Sequence, residues 1–330
     1  MAALGQISTQ GGGKPRVQVS GPGALVAAVP SMMGFVPTES IVCISLEDGR
    51  VGAVIRSNLG PLAHPMGVKS VVRSFAAAGD FDSLVLIAVG ADPVARQQAL
   101  RAVSLECQAT GHIVADTIHV AEIAEGKRWR NRAGNSGALP DPATTETAAA
   151  QVAAGRQVRG SRDELVAALA RTGKGLDAGQ RARKRDARVV VRTVVEVIDR
   201  HGAGKELSDD DIVQVGRALL QPAIRDALIG LSTTDRAHST QDVLAEVARR
   251  CRGAARVEAL TLVGAFAYVD RNGALAGIAL AAALDEDPGH SLSMLLRTAL
   301  SGGCDPLQVT AGLMSAVRES ANQLGIAPLC

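Results

Sequence analysis

The stretch that decides the fold runs from Leu25 to Leu59: LVAAVPSMMGFVPTESIVCISLEDGRVGAVIRSNL. It opens as an apolar, helix-like run that Pro30 breaks early and that ends at Gly34-Phe35-Val36-Pro37. A cap-like Thr38-Glu39-Ser40 follows. Two strand-like runs come next, Ile41 to Leu46 and Val51 to Ile55, joined by Glu47-Asp48-Gly49-Arg50. Asp-Gly between two β-rich runs predicts a hairpin, because the favoured two-residue turn needs a positive φ at both positions. Nothing in the stretch names a reaction.

Upstream, Arg16 to Ser20 alternates like a first strand, and Gly21-Pro22-Gly23 opens the helix Ala24 to Met33. Strand, GxG and helix make half of a dinucleotide fingerprint. The third glycine position holds Val26, so a plain strand-to-helix turn without a cofactor is expected. Met1 to Pro15 is polar and Gly-rich and reads as a tail. Its Gly11-Gly12-Gly13-Lys14 lacks the leading glycine and the Ser/Thr of a phosphate loop.

Downstream, His64 to Ala78 has helical spacing, and Phe81 to Val89 is a near-continuous apolar run, as in a strand buried on both faces. Gly90-Ala91-Asp92-Pro93 then places Asp92 as the N-cap of a helix that Gly111 stops. His112 to Ile123 is strand-like again. Residues 16–125 therefore read as an α/β domain, a mixed sheet with helices. Asp92 would lie on a loop at the carboxyl end of a strand, where α/β ligands bind, though an N-cap needs no ligand. Arg56, ending the second hairpin strand, could meet an anion or stand as a solvated strand end.

Residues 126–160 read as a basic linker and loop. Gly126 to Pro142, GKRWRNRAGNSGALPDP, sets Lys127, Arg128, Arg130 and Arg132 around the single tryptophan, Trp129. Basic residues beside an aromatic can clamp a nucleic-acid strand, and a basic loop is the alternative. From Thr144 onward the periodicity is helical, so 161–330 reads as an all-α domain. Ser161-Arg162-Asp163-Glu164 is a capping box before Leu165 to Leu169. Gln180 to Asp199 reads as one long helix whose basic start carries Arg181, Arg183, Lys184 and Arg185, either a phosphate-binding face or a solvated one. Ser208 to Asp211 starts another helix. Its three consecutive acids point in different directions, so no metal is expected there.

Leu260 to Pro288 looks like a tetratricopeptide helical hairpin, with Gly264, Ala276, Ala283 and Pro288 at the expected points and Arg271 where a turn glycine is usual. Only one such repeat is visible.

Composition narrows the classes. At 330 residues with 47% hydrophobic content the chain is globular, and a net charge of +2 gives no global field for nucleic acid or membranes. The five cysteines are scattered, without CxxC, so neither a zinc knuckle nor a redox pair is supported, and Cys43 and Cys107 read as buried reduced thiols. No signal peptide or membrane-spanning run is visible, so a cytoplasmic location is expected. No Ser/His/Asp order, HExxH or P-loop appears. An interaction or scaffold role through the helical half, with a protein partner or a second copy, comes first. An α/β enzyme or small-ligand sensor and a nucleic-acid-associated protein are the alternatives.

Several stretches together resemble domain of unknown function 4192, a family of actinobacteria and their phages. They are Val29-Pro30, Gly34-Phe35, Pro37 and Ser40, then Ser161-Arg162 with Glu164-Leu165, Arg225-Asp226-Ala227-Leu228, and Ala274 to Leu292, ALAGIALAAALDEDPGHSL. The resemblance covers residues 20 to 305 or so and implies a fold arrangement and a host range, without an activity. Relatives often carry a Tyr/Cys-rich stretch where this chain has RWRNRAGNSGALPDP, so no thiol or metal role transfers there.

Overall fold

The Asp-Gly hairpin forms as the sequence predicts. Strand β1 (Ser40–Glu47) and strand β2 (Arg50–Asn58) run antiparallel, with Glu47 paired to Arg50. Asp48 and Gly49 have φ of 49° and 72°, the paired positive values of the tight turn whose twist suits a hairpin. The structure, a computed structural model, describes residues 21–76, 81–153, 158–179 and 186–330. The expected tail and the strand expected at 16–20 lie outside these residues.

Helix α1 (Pro22–Met33) precedes the hairpin. Pro30 does not break it. The helix runs on to Met33, and Gly34, at φ 77°, closes it by donating to the Pro30 carbonyl. An internal proline costs a helix about 3 kcal/mol, and burial of every residue from Leu25 to Ser31 offsets that cost. Thr38-Glu39-Ser40 caps no helix but leads into β1.

After the hairpin come α2 (Pro65–Ala76), β3 (Ser83–Val89), α3 (Pro93–Ala109) and β4 (Val114–Val120). The chain then departs from the expected linker. Arg128–Asn131 is a strand, β5, and Ser136–Ala138 another, β6. They extend one six-stranded sheet of order β2-β1-β3-β4-β5-β6, in which β3 and β4 form the parallel pair. Short, polar, Gly-rich strands carry little hydrophobic alternation, so their pairing is set by β4 and not by pattern. A helix α4 (Glu146–Ala153) follows, and Arg159 returns to pair with Phe35.

One sheet face packs Ile41, Cys43, Leu84, Leu86 and Ala88 under Val68, Val72 and Phe75 of α2 and Leu100, Val103 and Cys107 of α3. Directly paired residues share a face. Ala88 pairs His119, which pairs Arg130, so both lie on this α2/α3 face. Val89, Val120 and Trp129 form the next row and lie on the opposite face.

The chain divides into two compact units, Met1–Arg162 and Asp163–Cys330. The second is helical: α5 (Arg162–Ala168), α6 (Ala187–Gly202), α7 (Asp209–Leu219), α8 (Pro222–Leu228), α9 (Ala237–Arg250), α10 (Ala254–Val269), α11 (Gly273–Glu286), α12 (Ser291–Ser301) and α13 (Pro306–Leu324). Of the helix expected from Gln180, residues 180–185 lie outside the described residues, and α6 is the described part. Asp186 is its N-cap, accepting from the Arg188 N–H at 3.0 Å.

Helices α10 and α11 make an antiparallel hairpin: Arg256 at one end pairs Glu286, and Gly264 sits against Leu280. A Cβ on Gly264 would lie 2.7 Å from the Leu280 Cγ, so glycine permits the close approach. This hairpin does not stand in an open repeat array. Helix α10 is buried on all sides except at Glu258 and its ends, with α7, α9, α11, α12 and α13 packed around it. A helix apolar all round is the centre of a globular bundle, whereas repeats in a solenoid contact only their neighbours.

Candidate functional site

Strands β3 and β4 end together, and α3 starts from the loop between them. Loops at the carboxyl ends of parallel strands are where open α/β sheets bind ligands. Here Asp92 accepts from the Val94 N–H at 2.8 Å and caps α3. Glu39, at φ 42°, reaches across from the start of β1 and accepts from the Ala91 N–H at 2.7 Å. Gly90 leaves room for it, since a Cβ there would stand 2.8 Å from the Glu39 Oε2. Both acids are thus occupied with backbone amides of the loop.

One turn into α3 stands Arg96, only 7% exposed. Its Nη1 donates to the Gly90 carbonyl, and its Nε is buried without any hydrogen-bond partner. Among the described residues no carboxylate lies within ion-pair distance of it. The contrast with Arg256, equally buried at 6%, is direct: Arg256 has Glu286 at 2.8 Å and donates to the Leu169 and Ala248 carbonyls. A buried guanidinium normally has such partners, because uncompensated burial of a charge costs several kcal/mol. Arg96 lacks them: its one partner is the Gly90 carbonyl.

Two more cationic or titratable groups share its face. His119 on β4 is half-buried, and Arg130, its cross-strand partner on β5, is exposed. Burial lowers the His119 pKa below the ordinary histidine value, and the charges of Arg96 and Arg130 push it the same way. His119 thus faces one guanidinium across the strands and feels the charge of a second, and both favour its neutral ring.

The other residues singled out from sequence fall elsewhere. Arg56 is an interior residue of β2, half-buried, and not a solvated strand end. Its Nε donates to Ser40 Oγ at 2.8 Å, and its guanidinium lies 6.0 Å from the Phe35 ring centre, pinning the segment that enters β1. Trp129 does not meet the basic residues beside it. Strand alternation sends it to the face opposite Arg130, where it packs between Gly137 on β6 and Gly23 on α1. A Cβ on Gly23 would be 2.6 Å from the Trp129 Nε1. The GxG of the half-fingerprint thus gives room to an indole, and Gly21, at φ 86°, starts the helix. Exposed Lys127 pairs Glu122 at 2.9 Å, and exposed Arg128 donates to Ser136 Oγ at 3.2 Å. Arg132 is exposed beyond β5. Arg181, Arg183, Lys184 and Arg185 lie outside the described residues.

The helical unit holds a polar network that sequence reading missed. Arg225 pairs Asp226 at 2.6 Å and Glu258 at 3.1 Å, and His290 Nε2 lies 3.3 Å from the same Glu258. The other His290 nitrogen, Nδ1, is 2.8 Å from Ser293 Oγ, which meets Thr261 Oγ1 at 2.6 Å. Burial works against the Arg225 charge, yet its bonds to Asp226 and Glu258 hold its pKa above the ordinary arginine value. Serine, histidine and glutamate in line resemble a hydrolytic triad, but Ser293 and Thr261 are fully buried and His290 caps α12. The network fastens the bundle. It joins two of the stretches that carry the family resemblance, Arg225–Leu228 and Ala274–Leu292.

Two of the three acids of α7 have cationic partners: Asp211 pairs Arg200 and Asp209 pairs Arg250. Among the described residues no three His, Cys, Asp or Glu side chains are grouped to hold a metal, and no helix is long and apolar enough to cross a membrane. Cys43, Cys107 and Cys251 are buried free thiols, whereas Cys304 and Cys330 are exposed.

The fold, a mixed α/β sheet followed by a helical bundle, defines a two-unit protein with an electropositive sheet end. The chain belongs to the family described as domain of unknown function (DUF4192), whose model matches residues 22–307. No curated protein and no solved structure matches it.

Proposed function

We propose that the protein is a small-ligand-binding protein, a sensor or enzyme, whose α/β unit takes an anionic ligand at the carboxyl end of β3 and β4. The observation that carries this is Arg96: a buried arginine with one carbonyl partner, an orphaned Nε and no acid, beside His119 and Arg130. A bound anion supplies the missing counter-charge. A thermal-unfolding screen against a panel of small oxyanions tests it, since a ligand that binds only the folded state raises its stability in proportion to ln(1 + [L]/Kd). At least one anion should stabilise the wild type and leave Arg96→Gln unmoved. A panel that stabilises neither, or both alike, would remove this reading.

The interaction reading keeps one specific support. Leu295 on α12 and Leu307 at the start of α13 are 67% and 61% exposed, and apolar groups left open on a helical bundle suit a protein partner or a second copy. Mass measured by light scattering over a range of concentrations, for wild type and a Leu295→Ser, Leu307→Ser variant, tests the second-copy form. The nucleic-acid reading keeps the exposed Lys127, Arg128, Arg130 and Arg132 but has no aromatic platform beside them. A cytoplasmic setting and an actinobacterial or phage origin belong to this proposal.

A further inference from the structure

The chemistry of the sheet-end site goes further than the sign of its ligand. Three side chains from three elements meet on one face of the sheet here: His119 from β4 faces Arg130 across the β4–β5 pair, and Arg96 from α3 stands close enough for its charge to act on His119. Arg96 is fixed by its bond to the Gly90 carbonyl, so its remaining N–H groups are held in place before any ligand arrives. A guanidinium fork fits two oxygens of one oxyanion. The helix it belongs to, 17 residues long, presents its positive end to the same loop. Arg128, two residues before Arg130 and on the same face of β5, donates to Ser136 Oγ. Glu39 and Asp92 accept from the Ala91 and Val94 amides, and Glu122, past β4, is paired with Lys127. A carboxylate ligand, with one charge and two oxygens, would leave one guanidinium without a counter-charge and the imidazole without a partner.

We infer that the site takes a phosphate-type dianion and that the imidazole of His119 picks up a proton from solvent as the dianion binds, completing a clamp with Arg96 and Arg130. This rests on the anion-binding reading above. Without a ligand, partial burial first and then the charges of Arg96 and Arg130 hold the His119 pKa below the ordinary histidine value. A dianion between them reverses the local field, and the second ring nitrogen then gains an acceptor. The proton comes from water, no bond in the ligand is broken, and two arginines plus an imidazolium face two negative charges.

The test uses the full chain with inorganic phosphate and with sulfate, whose charge does not change near neutral pH. Calorimetry in two buffers of different ionisation enthalpy gives the protons taken up, and NMR follows the imidazole of His119. Sulfate should bind with uptake of up to one proton at pH values between the free-state and complex pKa of His119, and with none well above both, and the His119 resonance should titrate at higher pH in the complex. Arg96→Gln should weaken binding about tenfold or more. His119→Gln should bind without proton uptake. If sulfate and phosphate bind through Arg96 but no proton is taken up and His119 titrates unchanged, the coupling is wrong and the anion reading stands. If neither anion binds, or Arg96→Gln binds them as wild type does, both fall. The NMR titration of the wild type needs no variant, and Trp129 fluorescence shows whether Arg96→Gln is folded.

Discussion

Replacing Gly23 by alanine separates a structural glycine from a cofactor glycine. The added methyl would sit 2.6 Å from the Trp129 Nε1 and 3.3 Å from its Cδ1. No real Cβ contact is that short, so the indole must move. Its retreat is limited, because the ring already rests on Gly137, where a Cβ would stand 3.1 Å from the same nitrogen. Overpacking of this kind costs about 1–3 kcal/mol. Alanine returns at most about 1 kcal/mol of helix propensity, and less in the first turn of α1. The net loss expected is about 1–2 kcal/mol. With a urea slope of about 2 kcal/mol per molar, the midpoint should fall by roughly 0.5–1 M. Trp129 is the chain's single tryptophan, so its fluorescence reports both the transition of the α/β unit and the displacement of the ring. A Gly23→Ala, Trp129→Phe double variant, followed by circular dichroism because it has no tryptophan, should recover part of the loss, as coupled neighbours do. An unchanged or higher midpoint with unchanged emission would refute the reasoning and return Gly21-Pro22-Gly23 to the ligand-binding candidates.

Three further outcomes are expected. His119 has a folded-state pKa below its unfolded value of about 6.5, so the unfolded chain binds more protons between the two; stability should rise with pH through that window, stay flat above it, and lose this dependence in His119→Gln. Glu258→Ala leaves Arg225 and His290 without their shared carboxylate inside the bundle, a loss of about 3 kcal/mol or more, readable as a lower urea midpoint through Tyr268, the single tyrosine, which lies in the helical unit. A thiol reagent at neutral pH should modify Cys304 and Cys330 quickly and Cys43, Cys107 and Cys251 only on unfolding, since burial raises all three of the latter and pushes Cys107 and Cys251 up to about 11; a fast third thiol in the native protein would contradict that.

Much of the fold could be read from residues because its signals are local. Asp48-Gly49 demands a tight turn, SLVLIAV from Ser83 to Val89 demands burial on both faces, and Asp92-Pro93 demands a helix start. What could not be read depends on partners distant in sequence. Strands β5 and β6 exist because β4 offers them an edge, and their own residues, RWRN and SGA, carry no strand period. Pro30 was survivable because the helix around it is buried, which no local propensity records. The length of α10's apolar run was visible, but whether it formed one layer of a repeat array or the centre of a bundle depended on which helices came to cover it.

The candidate site shows the same division more sharply. Asp92 was legible because capping is a matter of four consecutive residues. Arg96 is one arginine among many in the sequence, yet it stands on the buried stripe of α3 with Ala99, Leu100, Val103 and Cys107. An arginine at a stripe position is the one sequence signal that could have found it. Such a residue must be paired inside or be waiting for a charge from outside, and only the fold says which. In Arg256, on the buried face of α10, the first answer holds, because Glu286 arrives from the next helix. In Arg96 the groups that arrive are His119, whose lowered pKa favours the neutral ring, and the guanidinium of Arg130, and neither cancels its charge. Two arginines with the same burial thus have opposite meanings. The difference lies in what the chain brings to them from 20 to 35 residues away: an acid at Glu286 in the first case, an imidazole and a second guanidinium in the other.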